Sequence, residues 1–306
     1  MISLADLHCD TLFECFTRGT DLSDSGLHIN LEYQQCFENF IQTYAHFIPE
    51  KTEDKWSYLN TFITNSLDLL AVANIPVFKC SEDLKNRNLA VLSVEGGDIF
   101  DDKECIPLRA LQLKEWGINF FSLIYNQTNS LGCGAHSKDD FGLTELGREV
   151  LFYLEQQNIM VDVSHASLKS TEDILQISQK PVCATHSNAF ALTPNARNLN
   201  DLHLKKIAES GGLIGLNLYP PFLSLQSCDV FDIMRHIKHM VNLCGERHIV
   251  FGCDFDGVDQ LPKGINNVSS MEKLYTIMKK NGFNTRILDQ IFFTNTYDFL
   301  NANFRR

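Results

Sequence analysis

Short β-rich runs alternate with helix-period segments along almost the whole chain, and that rhythm restricts it to folds built from β-α units. The first run ends near His8. Others cover residues 42–48, 89–94, 118–124, 159–164, 181–185, 212–217 and 248–252. Between them lie segments with apolar residues at helical spacing, such as Leu59, Phe62, Ile63, Leu67 and Leu70 within 54–73. Further helices are expected over 106–116, 143–154 with Thr144 as a cap, 168–178, 201–209 and 230–243. Eight alternating strands favour a closed (βα)8 TIM-type barrel over an open doubly wound sheet. No G-x-G-x-x-G follows the first run, which removes the main reason to prefer the dinucleotide-binding alternative. A tail with helices near 270–280, 285–292 and 296–303 is expected to pack outside the barrel. A chain of 306 residues without repeats or linkers suits one barrel domain, 1–306.

Barrel enzymes carry their chemistry at the C-terminal ends of the strands, so the residues there are informative. His8 and Asp10 lie at the end of the first run, in Asp6-Leu7-His8-Cys9-Asp10. In an extended chain they share a face, about 7 Å apart. Glu95 follows the third run, His165 the fifth, His186 the sixth and Asp254 the eighth. Singly, each has an ordinary structural reading: a solvated carboxylate, a capping aspartate, a hydrogen-bonded core histidine. Together they place imidazoles and carboxylates at five strand ends that share one mouth, a donor set suited to two divalent ions such as zinc or manganese.

Other residues read as structural. His28, His46, His203, His236, His239 and His248 fall in loops, on helices or at strand starts. Asp162 lies within the fifth strand, where it supports its neighbours, and Cys9 alternates away from the His8/Asp10 face. The formal charge of −12 argues against nucleic acid and anionic membrane surfaces, which need clustered Lys and Arg. No apolar stretch is long enough to span a bilayer. The ten cysteines form no C-x-x-C, and the N-terminus lacks a charged start followed by an apolar region. Reduced thiols and a cytoplasmic location are therefore expected.

The same residues carry a likeness. The chain resembles the membrane (renal) dipeptidase family of zinc metallopeptidases, in its bacterial soluble branch. Matching stretches are Asp6–Asp10, Val94-Glu95-Gly96-Gly97, Asn126-Gln127-Thr128-Asn129 through Gly134, Gly142–Gly147, Asp162-Val163-Ser164-His165, Thr185-His186-Ser187-Asn188, Arg197-Asn198 and Gly252–Val258. The resemblance implies a metal-dependent hydrolase barrel with two zinc ions. His8 and Asp10 would hold one ion and His165 and His186 the other, with Glu95 bridging. A water activated between the ions would hydrolyse a dipeptide, including one with a C-terminal D-residue. The resemblance further assigns Arg197 to the substrate's carboxylate and Asp254 to proton transfer; composition and spacing alone would not single out Arg197. Tyr125 stands where many family members have a histidine that polarises the substrate carbonyl. Tyr125 and Asn126 are accordingly expected to contact substrate, and Tyr125 to take part in catalysis. The implied partners are small dipeptides, and a homodimer is the family-level expectation. The rival readings are another metal-dependent hydrolase on the same barrel, such as a lactonase, and a barrel retained only for binding.

Overall fold

The β-rich runs pair side by side. The computed structural model describes residues 1–305 and contains strands β1 (Leu4–Cys9), β2 (Phe40–Phe47), β3 (Asn88–Glu95), β4 (Ile118–Ser122), β5 (Met160–Asp162), β6 (Ile214–Leu216) and β7 (Ile249–Phe251). All pairings are parallel, in the order β5-β4-β3-β2-β1-β7-β6, and helices flank this curled sheet. The chain is thus an α/β fold of the expected kind, with one local difference. The sixth expected strand makes only two bridges, Asp162 with Cys183 and Ala184 with Ile214, and so fills the gap between β5 and β6. Its ends have no donor to spare for a ladder. Pro181 lacks an N–H, and the Thr185 N–H is taken by the Asp162 carboxylate at 2.8 Å.

Helices form where the 3.6-residue period and caps coincide. Lys55–Val72 starts at Asp54, whose side chain accepts from the Ser57 N–H, and Glu145–Gln156 starts at Thr144, whose hydroxyl accepts from the Gly147 N–H. A short helix that the hydrophobic period did not signal, Thr11–Arg18, follows β1 directly.

Two apolar cores result, one on either face of the sheet. The larger lies under the surrounding helices and the smaller inside the curl. The inner core joins Ala5, Ile41, Leu89 and Met160, near the starts of their strands, and Phe120 and Val250, at the middle of theirs, to Phe299, Leu300 and Phe304 of the tail. Phe299 stacks on Phe120 at 6.2 Å, and Phe304 meets Phe78 edge-on at 5.5 Å. The tail, expected outside the barrel, is therefore a plug across its N-terminal end. That leaves the opposite end, where the strands finish, as the open mouth.

Candidate metal centre

The end of β1 departs from simple alternation. Its register against β2 shifts between Asp6 and Cys9, and Asp10 has left the extended conformation to precede the first helix. Asp6 ties β1 to β7, its carboxylate accepting from the His8 N–H (3.2 Å) and the Cys253 N–H (2.9 Å). Backbone bonds continue the seam, from Asp254 N–H to His8 C=O and from Asp10 N–H to Phe255 C=O. The outcome is still convergence: His8 Nε2 is 3.5 Å from Asp10 Oδ2 and 3.7 Å from Asp254 Oδ1.

Glu95, at the last position of β3, lies at the middle. Its Oε1 is 2.7 Å from His165 Nε2, 3.4 Å from His186 Nε2 and 3.9 Å from His8 Nε2. All five expected ligand side chains are buried. His8, Glu95 and His186 form one group whose ligand atoms lie within 4.8 Å of one another, and His8, Asp10 and Asp254 form a second.

The tautomers follow from the surrounding bonds. The Thr185 hydroxyl gives its single hydrogen to Asp162 Oδ2, at 2.7 Å, so it accepts from His186 Nδ1–H at 2.8 Å. His165 Nδ1–H donates to Asn126 Oδ1 at 2.8 Å. Each ring consequently turns an unprotonated Nε2 inward, and the two nitrogens face each other across 2.8 Å. Burial, aided by the charges on Arg197 and His8, pushes both imidazoles well below the ordinary histidine range, so they stay neutral. Against the pull of burial, Glu95, Asp10 and Asp254 raise His8 to about 10. Burial pushes the carboxyls of Glu95, Asp10 and Asp254 up.

These features fit a divalent cation. Glu95 Oε1 is buried without a hydrogen-bond partner among the described residues, and two unprotonated imidazole nitrogens abut it. Neutral imidazoles with buried carboxylates are the donor set for zinc and its neighbours. The surrounding bonds orient the ligands as metal sites require. A Cβ on Gly257 would lie 2.1 Å from Asp10 Oδ2 and 2.4 Å from Asp254 Oδ1, so both carboxylates keep their places only beside a glycine.

Beside this cluster opens a cleft of about 570 Å³, lined among others by Tyr125, Asn126, His136, Arg197, Tyr219 and Asp254. Arg197 is buried, donates from Nη2 to His165 Nε2 at 2.9 Å, and lies over Phe222 at 5.5 Å. Its Nη1 has no hydrogen-bond partner among the described residues. Tyr125 stacks on His165 at 4.4 Å and meets Phe47 at 4.5 Å. The side-chain oxygen of Asn126 is committed to His165, which makes this residue an orienting group for a ligand as well as part of the cleft wall.

All the singled-out residues are thus brought to one mouth. Several of those read as structural have other partners, as with His46 on Ser93 C=O, His239 on Asp201 and His248 on Gly212 C=O. Asp162 accepts from Ser122 Oγ, Ser164 N–H and Thr185 N–H. Sequence reasoning missed two groups. Asn217 donates from Nδ2 to Asp254 Oδ2 at 2.9 Å, its amide oriented by the Tyr219 N–H on Oδ1. His136 reaches the cleft from the loop after β4. The one local hint was the position of Asn217 at a strand end.

The family model of the membrane dipeptidases, peptidase family M19, matches residues 1–302. The chain belongs to this family. An uncharacterised protein of Klebsiella pneumoniae is 32% identical over 238 residues, 74% of this chain and 85% of that protein. An uncharacterised dipeptidase of Schizosaccharomyces pombe is 31% identical over 236 residues; the match takes in 70% of this chain but only 56% of that longer protein. Among solved structures, the metallopeptidase dipeptidase AC superposes with a TM-score of 0.90 at 24% identity, covering 100% of this chain and 99% of the other. A Rhodobacter sphaeroides metallopeptidase liganded with a phosphinate mimic of L-Ala-D-Ala superposes with a TM-score of 0.87 at 23% identity, over 99% of each chain. These two likenesses concern the fold. Family membership makes this M19 protein a metallopeptidase, a hydrolase acting on dipeptides, and with it goes the binding of divalent metal.

Proposed function

We propose that this M19 protein is a single-domain zinc dipeptidase that takes two ions and accepts a D-residue at the substrate's C-terminal position. His8 and Asp10 would hold one ion and His165 and His186 the other, with Glu95 available to both. Divalent ions there supply Lewis acidity for the scissile carbonyl and for the attacking water. The remaining work falls to the chain. Arg197 turns its unpaired Nη1 to the substrate's terminal carboxylate, a charge-assisted bond that selects short substrates. Asp254 receives the proton of the attacking water on Oδ1 and passes it to the leaving amine, while its Oδ2 stays bonded to Asn217. The Tyr125 hydroxyl donates to the carbonyl oxygen as charge builds there; burial pushes that phenol up, so it keeps its proton. Acceptance of a D-residue is carried over from the Rhodobacter neighbour and its L-Ala-D-Ala mimic.

The observation that carries this reading is the meeting of three imidazole nitrogens on Glu95 Oε1, beside a buried guanidinium nitrogen that lacks a partner. The test is turnover of L-Ala-L-Ala and L-Ala-D-Ala with zinc counted on the same sample. Two zincs per chain and cleavage of both substrates are expected; one zinc, or no cleavage of the second, refutes that part of the reading. Arg197→Ala should lower kcat/KM on dipeptides at least about thirtyfold, the cost of leaving one buried charge unpaired, and leave dipeptide amides nearly unaffected. Equal losses on both refute the clamp.

A further inference from the structure

His136 is the one histidine in the cleft that no metal role claims, and its backbone is held in place firmly. Its N–H donates to Asn126 C=O at 2.7 Å, and the preceding Ala135 N–H donates to His165 C=O at 2.8 Å. Gly134 packs so tightly there that a Cβ would fall 2.3 Å from the Asn126 carbonyl. On the far side, Ser137 Oγ accepts from the Gly134 N–H and bonds Thr128 Oγ1. The loop is therefore anchored to the very residues that orient His165.

Two walls project in register. Asn195 and Arg197 line the cleft while Ala196 and Asn198 line a separate apolar cavity. In the same way His136 lines the cleft, and Ala135 and Ser137 line that second cavity. His136 and Arg197 thus enter one space from adjoining loops. The imidazole is close enough that the Arg197 charge adds to partial burial in holding it below the ordinary histidine range. It is a neutral N–H donor beside a cation with a free nitrogen, an arrangement that suits a shared anionic group.

We propose that His136 is a substrate-binding residue that hydrogen-bonds, together with Arg197, the terminal carboxylate of the dipeptide. This rests on the dipeptidase reading and on Arg197 as its clamp. The bond is made to the carboxylate, whose charge does not change during the reaction, so it contributes to substrate and transition state alike and is read in KM rather than kcat.

The test compares wild type, His136→Ala, His136→Gln and Arg197→Ala on L-Ala-L-Ala and its C-terminal amide. Binding of both compounds to the metal-depleted proteins is followed by calorimetry. His136→Ala should raise KM and the dissociation constant for the dipeptide about tenfold, the worth of one hydrogen bond to a charged group. Its kcat and its amide binding should not change, and His136→Gln, which keeps a donor, should recover most of the loss. Unchanged dipeptide affinity in His136→Ala, or an equal loss on the amide, overturns the proposal. If Arg197→Ala discriminates dipeptide from amide and His136→Ala does not, the clamp stands and His136 alone is excluded. If Arg197→Ala does not discriminate either, the reading beneath both falls.

Discussion

At the scale of residues, the proposed metal centre depends on groups outside its donor set. Thr185 illustrates this. Its hydroxyl passes one hydrogen to Asp162 and receives another from His186, which keeps Nε2 bare and aimed inward. Thr185→Val keeps the shape and removes that acceptor. Metal affinity should fall about 10- to 100-fold, the usual cost of losing a ligand's orienting partner, as read by competition with a chelator; an unchanged affinity would dismiss the orienting role. The proposed ligands themselves were legible because strand ends recur at readable intervals. Thr185 was visible only as part of a motif, and its bond to Asp162, 23 positions earlier, was not.

At the scale of elements, β2 and β3 carry a buried titratable pair of contacts behind the site. His46 of β2 donates from Nδ1 to Ser93 C=O of β3 at 2.9 Å, packs on Phe62 at 4.6 Å, and leaves Nε2 without a partner. Burial lowers its pKa to about 4 from an ordinary 6.5. The folded form therefore resists protonation that the unfolded chain accepts. Above pH 6.5 the ring costs nothing; between 6.5 and 4 the unfolded state binds more protons and stability falls, by up to about 3 kcal/mol. In metal-free protein, His46→Phe should flatten the loss of urea midpoint across that window. A slope as steep as wild type would show that other groups account for it. The strand pattern itself was readable from short β-rich runs between helical segments, but the sixth strand was over-read. A run of residues 181–185 looks extended in isolation, but Pro181 lacks an N–H and the Asp162 carboxylate takes that of Thr185, which leaves two bridges.

At the scale of the whole molecule, the two ends of the sheet have opposite fates. The strand starts are sealed by Phe299, Leu300 and Phe304, and the strand finishes stay open to substrate. Stability and chemistry are thereby separated. Phe304→Ala should cost about 3–5 kcal/mol of unfolding free energy, as for a buried aromatic, with kcat/KM on dipeptides unchanged at temperatures where the protein stays folded. A specific loss of activity without loss of stability would show the plug and the mouth to be coupled.

The sequence by itself determined the alternation of elements, the parallel sheet and the strand ends at which imidazoles and carboxylates sit, because periodicity and local spacing encode these. Tertiary structure alone decided which groups meet: Glu95 among three imidazoles from three other segments, Asn217 on Asp254 across 37 positions, His136 beside Arg197, and the tail across the barrel floor. Such contacts arise when a closed sheet brings distant strand ends within a few ångströms, and no local pattern of residues records that distance.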